Sequence, residues 1–215
     1  MPNRHCAEAF GTFCLVFVGT GAIVINDVSG GTITHVGIAV VFGLIVMAMI
    51  HTVGDISGAH LNPAVTLGMW TAGRLPAASV APYIVSQMIG GLTASLLLRI
   101  LFPEHPTLGA SLPAGPASQS FVLEVVCSFI LMVVILRVSS GSKERGLLAG
   151  LTVGGIIGLE AMFAGPISGA SMNPARSLAP AVVAMRLADL WIYLVAPVAG
   201  ALLGVVAYRF LRDDA

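Results

Sequence analysis

Long apolar stretches alternate along the chain with short polar breaks, and each stretch is near the ~20 residues that a helix needs to cross a bilayer. Six can be read, at residues 6–26, 36–54, 79–102, 121–138, 146–164 and 190–211. The breaks carry helix-ending chemistry: Ser29-Gly30-Gly31, the Pro/Gly-rich segment 103–116, and Ser139-Ser140-Gly141-Ser142-Lys143. Connections this short leave no appended soluble domain, so the pattern predicts an all-α membrane protein with residues 1–215 as one unit. The first stretch lacks a short apolar core ending in a small-residue cleavage site and is expected to stay as the first span.

Composition agrees. Of 215 residues 57% are hydrophobic and 9% charged, too little polar surface for a soluble domain of this size. The formal net charge is zero and no Lys/Arg-rich face stands out, which sets aside nucleic acid and leaves the lipid bilayer as the surrounding. Cys6, Cys14 and Cys127 lie in apolar runs without metal-ligand spacing and read as small core residues, with no metal or cofactor implied. Of the ten Lys and Arg, seven (Arg4, Arg74, Arg137, Lys143, Arg145, Arg209 and Arg212) fall at the two ends or in the second-to-third and fourth-to-fifth connections. With an even number of spans these segments share one side, and the positive-inside rule puts both termini in the cytoplasm, beneath an inner or plasma membrane. Arg99, Arg176 and Arg186 break the pattern.

The chain also repeats itself. ISGAHLNPAVTLG at 56–68 and ISGASMNPARSLA at 167–179 match at eight of thirteen positions across an offset of 111, and Glu8 recurs as Glu124 at an offset of 116. One unit is therefore duplicated, about 1–110 and 111–215. Each unit holds three spans, an odd number, so the second copy enters the membrane inverted relative to the first.

Residues 62–72, between the second and third spans, are too few to cross. Eleven residues of helix measure about 16 Å at ~1.5 Å each, roughly half of a ~30 Å hydrocarbon core. The segment reads as a re-entrant half-helix. Asn62 is a preferred N-cap and Pro63 suits the first helical position, and Asn173-Pro174 repeats the signal. Inverted symmetry brings the two N-termini together near the midplane, each carrying about half a positive charge from its peptide dipoles. The extended stretches before the caps, 57–61 and 168–172, would leave carbonyls unpaired in hydrocarbon unless they line a wet cavity. Spacing alone leaves two readings open: a continuous pore, or an irregular transporter whose broken helices line no through-passage.

Two copies of Asn-Pro-Ala, each preceded by Ser-Gly-Ala and placed after the second and fifth of six spans, resemble the signature of the aquaporin (major intrinsic protein) family. The resemblance extends over essentially the whole chain, including Ala7-Glu8 and Gly11-Thr12-Phe13. It implies six transmembrane helices plus two re-entrant half-helices around a passive pore, homotetramers with one pore per subunit, and no enzymatic activity or cofactor. The run 163–178 and the pair Tyr193-Leu194 are similar to the nodulin-26-like branch and its bacterial relatives. That branch implies water together with small uncharged solutes: glycerol, ammonia, or metalloid hydroxides such as arsenous acid.

The resemblance also assigns roles. Asn62 and Asn173 would present amide N–H groups to the pore while their oxygens cap the half-helices, two roles that use different atoms. A water pinned between two donors cannot readily pass a proton on, and the positive helix ends repel cations. The exposed backbone of Gly58, Ala59, His60, Gly169 and Ser171 would line the passage. Arg176, where the first repeat has Val65, would form the narrowest constriction with Phe42, Ala161 and Ala170; a guanidinium snorkelling to the interface is the alternative. In water-specific members a histidine usually occupies the place of Ala161, and dedicated glycerol facilitators usually carry Asp where this chain has Ser177. The expected constriction is thus wider and less polar than the water-specific type. Glu8 and Glu124 would accept hydrogen bonds from the re-entrant loops.

Other polar residues carry two readings each. Glu160 is expected to tether the second loop, or else to bias the pore mouth toward cations. His51 and Asp55, four apart on one helical face, form either a hydrogen-bonded pair near the cytoplasmic vestibule or a proton-handling pair. His60 lines the pore or bonds its neighbours. Gly150, Gly154 and Gly158, with Gly200 and Gly204, recur every four residues and predict close helix approach. The function from a different class is a proton-coupled secondary transporter built on His51, Asp55 and the buried glutamates.

Overall fold

The structure, a computed structural model, describes residues 2–139 and 148–211. Its helices run in the order α1 (Pro2–Val28), α2 (Thr34–Ser57), α3 (Pro63–Thr71), α4 (Ala77–Leu101), α5 (Ala117–Val138), α6 (Ala149–Ser168), α7 (Pro174–Val183) and α8 (Leu190–Phe210). All but α3 and α7 are long and apolar enough to cross a membrane, six in number. No strand occurs among the described residues. The Gly146 start of the fifth span, most of the 139–143 break, and Lys143, Arg145 and Arg212 lie outside the described residues.

Two spans run further than their apolar pattern. α2 continues to Ser57 and α6 to Ser168, so the extended stretches begin at Gly58 and Gly169, not at the serines. The reason is local. Gly58 and Gly169 take the left-handed conformation, with φ of 89° and 83°, and their N–H groups close the last turns on Gly54 O and Gly165 O. Beyond them Ala59, Leu61, Ala170 and Met172 also have positive φ, a strained geometry for residues with a Cβ. The same pattern recurs in both repeats. Each stretch ends at an asparagine with extended backbone, whose side chain caps the half-helix that proline opens.

Helix packing follows the duplication. α1 packs on α2 and α4, and α5 correspondingly on α6 and α8, while α2 and α6 join the halves. The half-helix α3 lies against α8 and α4, and α7 against α4 and α8. Small residues permit these approaches, as their spacing predicts. A Cβ at Gly43 would stand 2.7 Å from Gly154 O, and one at Gly200 would stand 2.3 Å from Val125 O. One repeat earlier, Gly90 meets Ala9 O in the same manner.

Candidate pore and its constriction

The two half-helices meet at their caps. Asn62 Oδ1 accepts from Ala64 N at 2.8 Å, and Asn173 Oδ1 accepts from Ala175 N at 3.0 Å and Arg176 N at 3.3 Å. The amide nitrogens cross over: Asn62 Nδ2 donates to Met172 O at 2.7 Å, and Asn173 Nδ2 donates to Leu61 O at 2.8 Å. One hydrogen of each amide thus locks the opposite loop. Each amide has a second hydrogen, and both asparagines line one cavity.

The loops hang from two buried carboxylates. Glu8 Oε1 accepts from Ser57 Oγ at 2.7 Å and His60 N at 2.9 Å, and Oε2 accepts from Leu61 N at 2.7 Å and Gln87 Nε2 at 2.8 Å. Glu124 does the same for Ser168 Oγ, Ser171 N and Met172 N, at 2.9, 2.8 and 2.7 Å. Tyr83 OH donates to Ser57 O and Tyr193 OH to Ser168 O, fastening the helix ends. The loop N–H groups of residues 60, 61, 171 and 172 thus all have a carboxylate acceptor, as buried backbone donors require. The tyrosine pair escaped the sequence reading, although its spacing of 110 nearly matches the repeat offset and would have exposed it.

The cavity, of about 130 Å³, is lined among others by Phe42, Ala161, Arg176, the two asparagines, Met69, Ile135, Val138 and Ser139. Val46, Ile50, Leu131, Val153 and Ile157 contribute hydrocarbon side chains to the lining. The two loops contribute Gly58, Ala59, His60 and Leu61, and Ala170, Ser171 and Met172. Gly169 is the exception among the residues expected to line the passage: it lies against Ser111 instead. His60 both borders the cavity and bonds a neighbour, with Nδ1 3.2 Å from Thr66 Oγ1. The Thr66 hydroxyl donates to Asn62 O at 3.0 Å, so Nδ1 carries the hydrogen in that contact.

Phe42, Ala161, Ala170 and Arg176 all line this cavity. The Arg176 guanidinium carbon stands 5.1 Å from the Phe42 ring centroid, within cation–π reach. Behind the ring is Gly19, where a Cβ would fall 2.3 Å from Phe42 Cε1. Arg176 does not snorkel: it is 2% exposed, and Nη1 donates to Gly109 O at 3.1 Å and Ser111 Oγ at 2.6 Å. The three arginines that break the charge pattern hold one connecting segment. Arg99 Nη1 donates to Pro103 O and His105 O, Arg186 Nε to Pro106 O, and Arg176 to Gly109 and Ser111.

Two expectations need correction. Glu160 does not tether the second loop. It is 2% exposed, neither carboxylate oxygen has a hydrogen-bond partner, and Glu124 already takes the loop's donors. At the matching position, 111 residues earlier, stands the buried Met49, so an acid occupies a place built for hydrocarbon. Glu160→Met should therefore raise thermal stability by on the order of 1–3 kcal/mol, read as a higher midpoint of thermal unfolding in detergent. A lower midpoint would show that the carboxylate has a partner. His51 and Asp55 are both exposed and no hydrogen bond joins them; His51 instead lies against Gly150 of α6, with Nε2 2.5 Å from where a Cβ there would sit. Neither lines the cavity, so the proton-handling pair is not assembled.

Six spanning helices and two half-helices meeting cap to cap beside a lined passage define a membrane channel. The chain belongs to the major intrinsic protein family, whose profile matches residues 2–208. It is 48% identical over 211 residues to Aquaporin NIP1-1 of Zea mays, covering 98% of this chain and 75% of that one. It is 47% identical over 213 residues to the Probable aquaporin NIP4-2 of Arabidopsis thaliana, covering 99% and 75%. The fold matches the X-ray structure of the aquaglyceroporin from Plasmodium falciparum with a TM-score of 0.86 at 23% identity, over 96% of this chain and 95% of the other. Membership makes this protein a passive channel for water and small solutes, and not an enzyme.

Proposed function

We propose that the channel passes water together with small uncharged solutes, among them glycerol, ammonia and metalloid hydroxides such as arsenous acid, and refuses ions and protons. The observation that carries this reading is the reciprocal locking of Asn62 and Asn173 beside the cavity. With one amide hydrogen fixed on the opposite loop and the oxygen fixed on its own helix, each asparagine offers its remaining N–H to a passing oxygen. A water or hydroxyl held by two donors and two positive helix ends loses its in-line acceptor role, and cations meet a repulsive field. The carbonyls of the two loops accept hydrogens, while the hydrocarbon side chains of the lining offer nothing to bind.

Phe42, Ala161, Ala170 and Arg176 form the selectivity constriction. Methyl groups at two of its four positions leave room for a triol or a metalloid hydroxide, and Arg176 supplies the donor. Glu8 and Glu124 are the supports of the loops. The chain forms one channel domain, 1–215, of two inverted repeats near 1–110 and 111–215. It sits in an inner or plasma membrane with both termini in the cytoplasm and assembles as a homotetramer with a pore in each subunit. Arg4, Arg74, Arg137 and Arg209 favour that orientation.

Stopped-flow light scattering on proteoliposomes tests the reading. Water and glycerol fluxes should rise linearly with their gradients and leave the lumen's pH unchanged. Saturable uptake that acidifies the lumen would replace the channel by the proton-coupled transporter, for which the separated His51 and Asp55 offer no support.

A further inference from the structure

Beside the constriction lies a buried row of hydroxyls. Ser111 Oγ is 2.8 Å from Ser177 Oγ, Ser177 Oγ is 2.5 Å from Ser171 Oγ, and Ser171 Oγ donates to Asn173 O at 3.0 Å. At the other end, Arg176 Nη1 donates to Ser111 Oγ at 2.6 Å. All three serines are buried.

Bonding rules fix the direction of every hydrogen in this row. A guanidinium only donates and a carbonyl only accepts, while a hydroxyl donates once. Ser111, having accepted from Arg176, gives its hydrogen to Ser177. Ser177 gives its own to Ser171, and Ser171 gives the last to Asn173 O. Three hydroxyl hydrogens fill three oxygen–oxygen links, with none left over. The chain therefore runs one way, from the constriction arginine to the backbone of the midplane cap.

We propose that Ser111, Ser177 and Ser171 are specificity-determining positioning residues that hold the Arg176 guanidinium against the wall and so set the width of the constriction. This rests on the reading of Phe42, Ala161, Ala170 and Arg176 as the selectivity constriction. The guanidinium has few other holds. Nε is buried without a partner, Gly109 O is the second acceptor of Nη1, and the Phe42 ring centroid lies 5.1 Å from the guanidinium carbon. With Ser111 Oγ removed, Nη1 keeps a single bond, and the cation shifts toward the ring and the lumen. The chain also ties the connecting segment to the second re-entrant loop, so one break loosens both walls of the constriction.

The test measures glycerol and water permeability in the same proteoliposomes for Ser111→Ala, Ser177→Ala and Ser111→Thr. Loss of a charge-assisted bond shifts the arginine's populations enough that the glycerol-to-water ratio should fall about threefold or more in Ser111→Ala. Ser177→Ala, one link away, should give a smaller fall, and Ser111→Thr, which keeps the hydroxyl, should return the wild-type ratio. A ¹⁵N solid-state spectrum of the arginines supplies a readout independent of solute: slow exchange of the Arg176 Nη1 hydrogens in the wild type, fast exchange in Ser111→Ala. Unchanged ratio and unchanged exchange in both alanine variants overturn the proposal. So does equal loss in Ser111→Ala and Ser111→Thr, or failure of both alanine variants to assemble where the threonine variant does, since either outcome makes the serines packing elements. Wild-type protein that passed no glycerol would sink the proposed solute breadth, and the exchange measurement would then decide the hydroxyl chain alone.

Discussion

Ala161→His is expected to cut glycerol and arsenous acid flux about tenfold or more, because a hydrogen-bonding side chain added to one wall discriminates by bulk and by an unmet polar group. Water flux should survive. Ala161 lies on α6 and lines the cavity together with Phe42 and Arg176, the proposed constriction. Neither neighbour can retreat. α2 and α6 are pressed together where Gly43 meets Gly154, Gly19 backs the Phe42 ring, and the arginine is bonded through Nη1. An imidazole at 161 therefore fills space that only the lumen can supply. Water passes a narrower opening and gains a donor there, whereas a triol gains nothing that offsets the lost clearance. Stopped-flow measurements of the three solutes on one preparation decide the matter. An equal fall in water and glycerol would mean that the imidazole plugs the pore without filtering it, and no fall in either would remove Ala161 from the constriction.

The second large effect concerns the supports. Glu8→Ala should abolish conduction, with protein that inserts poorly and unfolds at a lower temperature. Four donors lose a partner at once: His60 N and Leu61 N keep no acceptor, while Gln87 Nε2 keeps Thr66 Oγ1 at 2.9 Å and Ser57 Oγ keeps only Val53 O at 3.5 Å. Each unmet buried donor costs about 1–3 kcal/mol, so the two loop N–H groups together approach the lower end of the ~5–15 kcal/mol that holds an entire fold. Glu8 is shut away from bulk solvent, with 0% exposure. Glu8→Gln should fall between, since its single carbonyl oxygen can serve some donors while its amide faces the others. Glu124→Ala should act alike through Ser168, Ser171 and Met172. Water permeability per incorporated protein and the thermal midpoint are the measurements. A Glu8→Ala channel with wild-type flux would show that the left-handed turns hold the loops unaided.

The quantities that depend on a residue and its near neighbours were legible before any fold was known. The positions of the spans follow from apolar length, and the half-helices from an asparagine and a proline that open a helix too short to cross. The duplication marked Glu8 and Glu124 as equivalent, and each takes the same set of loop donors. Span ends were read less well: the apolar pattern fades before Ser57 and Ser168, yet the helices continue until a glycine turns left-handed. Glu160 was misread because a carboxylate in an apolar run signals a partner without saying where the helix rotation aims it, and here it aims at no donor.

The sequence by itself determined how many times the chain crosses the bilayer, where it folds back, and that its two halves are copies, because length, capping chemistry and repetition are written within a few helical turns. Only the tertiary structure decided what holds Arg176, why Arg99 and Arg186 fall where charge should be scarce, and that His51 and Asp55 stand apart. Those outcomes depend on where the segment between α4 and α5 lies against α7, and on which face each helix turns to its neighbours. No local pattern encodes them: they arise when distant donors and acceptors, shut away from water, must find one another.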